Sequence, residues 1–221
     1  SPMKIAALQM VSTPDVDRNL ADAVQLIAQA AVAGAQLVAL PEYFCLMGRR
    51  DDDKLTHAED QGQGLLQDAL AQAAREHGVW LIGGTLPLRA EAPNRVRNTT
   101  LVWNPQGQQV ARYDKIHLFA FDNGRESYDE GRVLEAGSQP VAFEAEGFRL
   151  GLSICYDLRF PEHFRSLMSP PCDLLVVPAA SPALGLIVAV LADRVWWGNA
   201  AKTMVFMPMA PSFVGASVIW K

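Results

Sequence analysis

Lys4 to Met10 is a largely apolar run of strand length, and Pro14 with Asp15 marks a turn and a helix start. From Asn19 to Ala33, apolar residues recur at Leu20, Val24, Ile27 and Ala31, the spacing of one helical face. Gly34 stops that helix. Leu37-Val38-Ala39-Leu40 then reads as a buried strand ended by Pro41-Glu42, which completes a β-α-β unit with a parallel return. Arg49 to Gln63 is polar and irregular, a surface loop. Leu65 to His77 repeats the helical period and closes at Gly78, and Val79 to Gly84 is the next strand. Gly83 and Gly84 at its end predict a close backbone approach.

The second half changes rhythm. Arg97 to Trp103 and Gln108 to Tyr113 predict an antiparallel hairpin over Asn104-Pro105-Gln106-Gly107. His117 to Gly137 is charged, glycine-containing and loop-like. Val141 to Glu144 and Phe148 to Ile154 predict another hairpin, whose second arm ends at Cys155. Pro161 to Met168 reads as a helix and Leu174 to Val177 as a strand ended by Pro178. This order predicts an α/β fold with a mixed sheet, or two sheets, and helices outside. From Ser181 to Lys221 the only charged residues are Asp193, Arg194, Lys202 and Lys221. A helix over about Leu184 to Ala201 and a strand over Met204 to Met207 are the expectations there.

Composition narrows the function classes. Half of the 221 residues are hydrophobic, and the net charge of −5 gives no reason to expect a nucleic acid or an anionic membrane as partner. No run is long and apolar enough for a membrane span, and no signal peptide is read at the start, so a cytoplasmic protein is expected. Ser1-Pro2 ahead of Met3 reads as an expression remnant, with one domain over 3–221. Cys45, Cys155 and Cys172 form neither a CxxC pair nor a zinc spacing, which fits a reducing compartment. The histidines are scattered, so no metal is expected, and no nucleotide-binding glycine motif or other cofactor site is read.

Three polar residues sit where apolar strands end: Glu42, Lys115 and Cys155. Strand ends on one sheet edge converge on a crevice. A thiol can attack a carbonyl carbon, a carboxylate can take its proton, and an ammonium can stabilise the oxyanion. Each residue alone also has a plainer reading, as a buried structural cysteine or an exposed salt bridge. The matched positions favour the chemical one. Arg159 is a candidate for gripping a substrate carboxylate, or else pairs with Asp157 or Glu162. Tyr43 and Phe44 either wall the pocket or belong to the core. His117 reads as a hydrogen-bonded structural histidine, with a pocket donor as the alternative, and Cys45 and Cys172 read as packing residues.

Leu40-Pro41-Glu42, Tyr113-Asp114-Lys115-Ile116-His117-Leu118-Phe119 and Ser153-Ile154-Cys155-Tyr156-Asp157-Leu158-Arg159-Phe160-Pro161-Glu162 resemble the three motifs of the nitrilase superfamily of carbon–nitrogen hydrolases. The resemblance runs from about Met3 to Ala180. It is nearest the Nit branch, which includes omega-amidases and deaminated glutathione amidase. It implies a four-layer α-β-β-α sandwich that pairs into a homodimer, and a cofactor-free amidase that releases ammonia from a small carboxylate-bearing amide through a thioester. In that reading Cys155 is the nucleophile, Glu42 the general base and Lys115 the oxyanion holder, assisted by the backbone N–H of Tyr156. Glu126, in Asn123-Gly124-Arg125-Glu126-Ser127, is placed as the second glutamate that orients Lys115. N-carbamoyl amide or nitrile hydrolysis, or a catalytically silent scaffold, are the alternatives. Ser181 to Lys221 does not carry the motifs of such proteins recognisably and reads as a truncated or frame-shifted tail, which leaves the fold incomplete there.

Overall fold

The computed structural model describes residues 3–181, 185–192 and 217–218. The chain begins with β1 (Ile5–Ala7), α1 (Val16–Val32), β2 (Leu37–Ala39), the one-turn α2 (Asp53–Thr56), α3 (Leu65–His77) and β3 (Trp80–Ile82). It continues with β4 (Leu86–Arg89), β5 (Val96–Trp103), β6 (Gln109–Asp114), β7 (Ala120–Asp122) and β8 (Ser127–Asp129). The last elements are β9 (Ala142–Ala145), β10 (Phe148–Leu152), α4 (Pro161–Ser166), β11 (Leu174–Ser181), β12 (Gly185–Ala192) and β13 (Ser217–Val218).

Two sheets form the centre. In the first, β1, β2 and β3 run parallel, with Ile5 opposite Leu37 and Leu37 opposite Trp80. β5 joins β3 antiparallel and carries β4 and β6 beside it. In the second, the order is β12-β11-β10-β9, with a parallel β10–β11 pair. Side chains alternate across each strand, so one face of the first sheet meets the helices and the other meets the second sheet. Ile5, Leu37, Ala39, Ile82, Val102 and Tyr113 pack against Phe143, Leu150, Leu152, Ile154, Leu174 and Val176 between the sheets. Ala6, Leu8, Val38, Leu40, Leu81 and Leu101 instead pack under the helices.

α1 starts where Asp15 accepts the Arg18 N–H at 3.0 Å, a side-chain cap of an otherwise unsatisfied donor. Its buried stripe is Leu20, Ala23, Ile27 and Ala30, and α3 buries Leu66, Leu70, Ala73 and Ala74. Alanines on the facing stripes let the two helices lie close together over the sheet. A fully buried aliphatic side chain such as Ile27 or Leu70 stabilises the fold by about 1.5–3 kcal/mol. On the far face of the second sheet, Leu167 and Cys172, which follow α4, sit where a Cβ on Gly151 would meet them. The layers are therefore α-β-β-α, the fold class expected.

Some elements differ from the sequence reading. The segment expected to begin a helix at about Leu184 is β12, paired antiparallel with β11 from Ser181–Gly185 to Leu174–Ala192. Its run Leu186-Ile187-Val188-Ala189-Val190-Leu191 has no polar side to make a helical stripe, and its β-branched residues suit the ladder that β11 offers. The rest of that expected helix, 193–201, and the strand expected at Met204 to Met207 lie outside the described residues. The loop read over His117 to Gly137 contains the β7–β8 hairpin and a 3₁₀ turn over Glu130–Arg132. The unanticipated β4 lies at the sheet edge, the position at which a strand tolerates Pro87.

Gly84 shows why the close approach predicted at the end of β3 is needed. Its φ is +56°, and a Cβ there would lie 2.1 Å from the Pro41 carbonyl oxygen. Only glycine lets this turn pass against the segment that carries Glu42.

Candidate active site

Glu42, Lys115 and Cys155 leave the ends of β2, β6 and β10, and the structure brings them to one place. Lys115 is 1 % exposed and Glu42 is 2 % exposed. The Lys115 Nζ lies 3.3 Å from Glu42 Oε1. Asn98, on β5, holds both: its carbonyl accepts the Lys115 N–H at 2.9 Å, and its side-chain amide donates to Glu42 Oε1 at 2.9 Å. The other oxygen of Glu42 accepts the Ala180 N–H at 2.9 Å. Asn98 was not singled out in the sequence. With Arg97, Thr99 and Thr100 beside it in the strand, nothing in the local pattern marked it out.

The glutamate that the structure places against Lys115 is Glu130, not Glu126. Lys115 Nζ lies 2.9 Å from Glu130 Oε2, and Glu130 is 8 % exposed. The Phe119 N–H donates to the same oxygen at 2.7 Å, and Phe119 accepts the Glu130 N–H at 3.0 Å. Asp129 caps the following 3₁₀ turn through the Gly131 N–H at 2.8 Å, which swings Glu130 inward. Glu126 instead sits exposed in the β7–β8 turn, where its N–H donates to Asn123 Oδ1 at 2.8 Å. The hairpin places a glutamate at the turn tip and another beyond its returning strand. Only the second reaches the interior.

Cys155 opens a 3₁₀ turn with φ +46°, an uncommon conformation for a residue with a side chain. Asp157 underwrites it. That carboxylate is fully buried and accepts the Ile154 N–H at 2.8 Å, the Tyr113 hydroxyl at 2.5 Å and the His117 N–H at 3.0 Å. His117 Nδ1 lies 2.7 Å from the same group, and its ring stacks on Phe160 at 3.7 Å. His117 is thus the hydrogen-bonded structural histidine expected. Arg159 is exposed and forms no ion pair with Asp157 or Glu162, while Arg165 lies 3.6 Å from Glu162. The Tyr156 ring packs edge-on against Phe119 and Phe160. Phe44, Cys45 and Cys172 belong to the packed interior.

The electrostatics follow from burial. Burial raises Glu42 above an ordinary glutamate; Lys115 opposes that, and Glu130 adds to it. Burial lowers Lys115, but Glu42, Glu130 and Cys155 outweigh it and hold the ammonium above an ordinary lysine. Burial, with Glu42 beside it, pushes the Cys155 thiol up to about 12, against Lys115 and the Ala180 N–H. The site therefore holds a neutral thiol beside the Glu42 carboxyl group. Among the described residues no cluster of His, Cys, Asp and Glu side chains could hold a metal ion.

Residues 4–200 match the carbon–nitrogen hydrolase family, and the chain belongs to it. The match continues past Ala180, where the motifs cease to be legible. The chain is 38 % identical over 186 residues to the deaminated glutathione amidase of Synechocystis sp., covering 82 % of this chain and 68 % of that protein. It is 34 % identical over 178 residues to omega-amidase NIT2 of Xenopus tropicalis, covering 80 % and 63 %. Among solved structures it resembles Saccharomyces cerevisiae Nit3, a member of branch 10 of the nitrilase superfamily. There the TM-score is 0.70 and the identity 26 %, covering 81 % of this chain and 65 % of that one. The chain thus spans about two thirds of the length of these relatives.

Proposed function

We propose that this chain is a cysteine-dependent amidase that releases ammonia from a small carboxylate-bearing amide. One observation carries the reading: a buried Lys115 ammonium held between Glu42 and Glu130, beside the thiol of a strained Cys155. The kinship with deaminated glutathione amidase and omega-amidase supports the choice of substrate class.

In this reading Cys155 Sγ attacks the amide carbonyl carbon while its proton passes to Glu42. The new C–S bond sends the carbonyl electron pair to oxygen, where Lys115 Nζ and the Tyr156 N–H stabilise it. Collapse restores the carbonyl and breaks the C–N bond, with Glu42 returning the proton to the departing nitrogen as ammonia. Glu42 then takes a proton from water, which attacks the thioester. The acid product leaves and the thiol is regenerated. Glu130 fixes the Lys115 ammonium throughout. A thiol with a pKa of about 12 suits this sequence, because proton transfer accompanies attack rather than preceding it.

We infer also that the protein is cytoplasmic and works as a homodimer. Three free cysteines fit a reducing compartment. No helix among the described residues is long and apolar enough to cross a membrane. Light scattering after gel filtration tests the dimer.

Ammonia release is to be measured with a panel of omega-amides, N-carbamoyl amides and nitriles, with Cys155→Ala as control. Turnover of an omega-amide that Cys155→Ala loses supports the amidase reading. Turnover confined to nitriles or N-carbamoyl amides replaces it, and the absence of turnover leaves a silent scaffold.

A further inference from the structure

We propose that Lys54 and the Tyr43 hydroxyl together bind the carboxylate of the substrate and set the preference for anionic amides. This rests on the amidase reading above and gives its carboxylate a specific receptor.

Lys54 belongs to the single turn α2, in the polar stretch between β2 and α3, and is half-buried. Its Nζ lies 4.6 Å from the centroid of the Tyr43 ring, a cation–π contact. Among the described residues no carboxylate lies within ion-pair distance of it. Tyr43 immediately follows Glu42 and holds a φ of +51°, fixed by its N–H to Thr85 Oγ1 at 2.8 Å. Tyr43 is 7 % exposed, and its hydroxyl is buried without a hydrogen-bond partner among the described residues. Buried hydroxyls are nearly always bonded, so one left over beside a catalytic glutamate points to a ligand.

Tyr43 directly follows Glu42 in the chain, and Lys54 lies over its ring. Burial holds Lys54 below an ordinary lysine, and Glu130, Asp51 and Glu42 act against that; Glu130 and Glu42 act on the buried Tyr43 phenol as well. Burial and those carboxylates keep Tyr43 a neutral hydroxyl, able to donate. The charge balance supplies the remaining reason. Lys115 is already committed to two carboxylates, Glu42 and Glu130, so the cluster carries surplus negative charge. An anionic substrate entering it would be repelled unless a second cation met its carboxylate. Lys54 is such a cation, and the phenol beside it supplies a hydrogen bond. Arg159, the residue expected from sequence to grip a carboxylate, is exposed on the turn that carries Cys155.

The test compares succinamate with propionamide, which presents a similar amide without the carboxylate. For Lys54→Met, the ratio of kcat/KM for succinamate to that for propionamide should fall by about tenfold or more, as loss of a charge-assisted bond does. The loss should appear in KM, Lys54→Arg should restore much of the ratio, and Tyr43→Phe should lower it several-fold. A second arm measures calorimetric binding of the same two amides to Cys155→Ala with and without Lys54→Met. There Lys54→Met should weaken succinamate selectively. An unchanged ratio, or a selective loss produced by Arg159→Met instead, overturns the proposal. If the wild-type protein hydrolyses neither amide, the amidase reading fails, while the binding arm still decides for or against Lys54.

Discussion

Lys115 Nζ lies 2.9 Å from Glu130 Oε2, and both side chains are buried. That contact, rather than one to Glu126, sets the orientation of the ammonium. Glu130→Gln is expected to lower kcat by about a hundredfold or more, the scale of losing an electrostatic positioning group at a developing oxyanion. Glu126→Gln should stay within about twofold, as an exposed substitution does. Steady-state ammonia assays of the two variants decide between the glutamates.

Removing the cation should cost stability as well as rate. Lys115→Met leaves Glu42 and Glu130 buried without their shared counter-charge, and breaking such a buried pair typically costs about 3–5 kcal/mol. Urea unfolding of Lys115→Met and of Lys115→Met with Glu130→Gln checks this. The double variant should recover part of the loss, because one uncompensated charge is gone.

The pH profile should carry an acid limb displaced upward. Glu42 works as a base only when ionised, and its pKa is raised above the ordinary 4.5 by burial. As pH falls through that raised value the base is protonated and kcat/KM drops. Lys115 is held above its ordinary 10.5, so its ammonium persists to higher pH and adds no earlier alkaline limb. A kcat/KM profile with its acid midpoint at or below 4.5 would contradict this environment for Glu42.

Cys155 should be a poor nucleophile toward reagents that Glu42 cannot assist. With its pKa near 12, on the order of one thiol in 10⁵ is ionised at pH 7. Iodoacetamide should therefore modify it slowly at neutral pH and faster as pH rises. An omega-amide should leave a transient thioester adduct at Cys155, visible by intact mass spectrometry after acid quench. Rapid alkylation at pH 6 would show a preformed thiolate.

Asp157→Ala should loosen the turn that presents Cys155. It strands the Ile154 N–H, the His117 N–H and the Tyr113 hydroxyl, each a buried or half-buried donor worth about 1–3 kcal/mol when left unpaired. Thermal unfolding should shift down by several degrees, and kcat should fall even at temperatures where the variant remains folded. A variant with wild-type kcat would remove Asp157 from the positioning of the thiol.

The local pattern of the chain already carried an α/β fold with helices outside and three candidate-site positions, while the four-layer sandwich came with the resemblance to the nitrilase superfamily. Helical spacing in α1 and α3, alternation in the strands, and abrupt polar residues after apolar runs are all short-range features of sequence. Glu42, Lys115 and Cys155 were legible because a strand end places the next side chain in a predictable way. The close approach at Gly84 was legible for a similar reason, since paired glycines at a strand end have few other uses.

Tertiary structure decided what depended on residues far apart. Whether Glu126 or Glu130 meets Lys115 turns on the hairpin and on the cap from Asp129, and either glutamate fits the spacing. Asn98 joins Lys115 to Glu42 only because β5 lies beside β6 on one side and beside β3, the neighbour of β2, on the other. Gly185–Ala192 became a strand because β11 offered an unpaired edge, which no local propensity reports. The pKa values of Glu42 and Cys155 belong to the same class. They arise from desolvation and from charges brought together across the sheet, so the identities of the groups lie in the sequence while their reactivity is set by the fold.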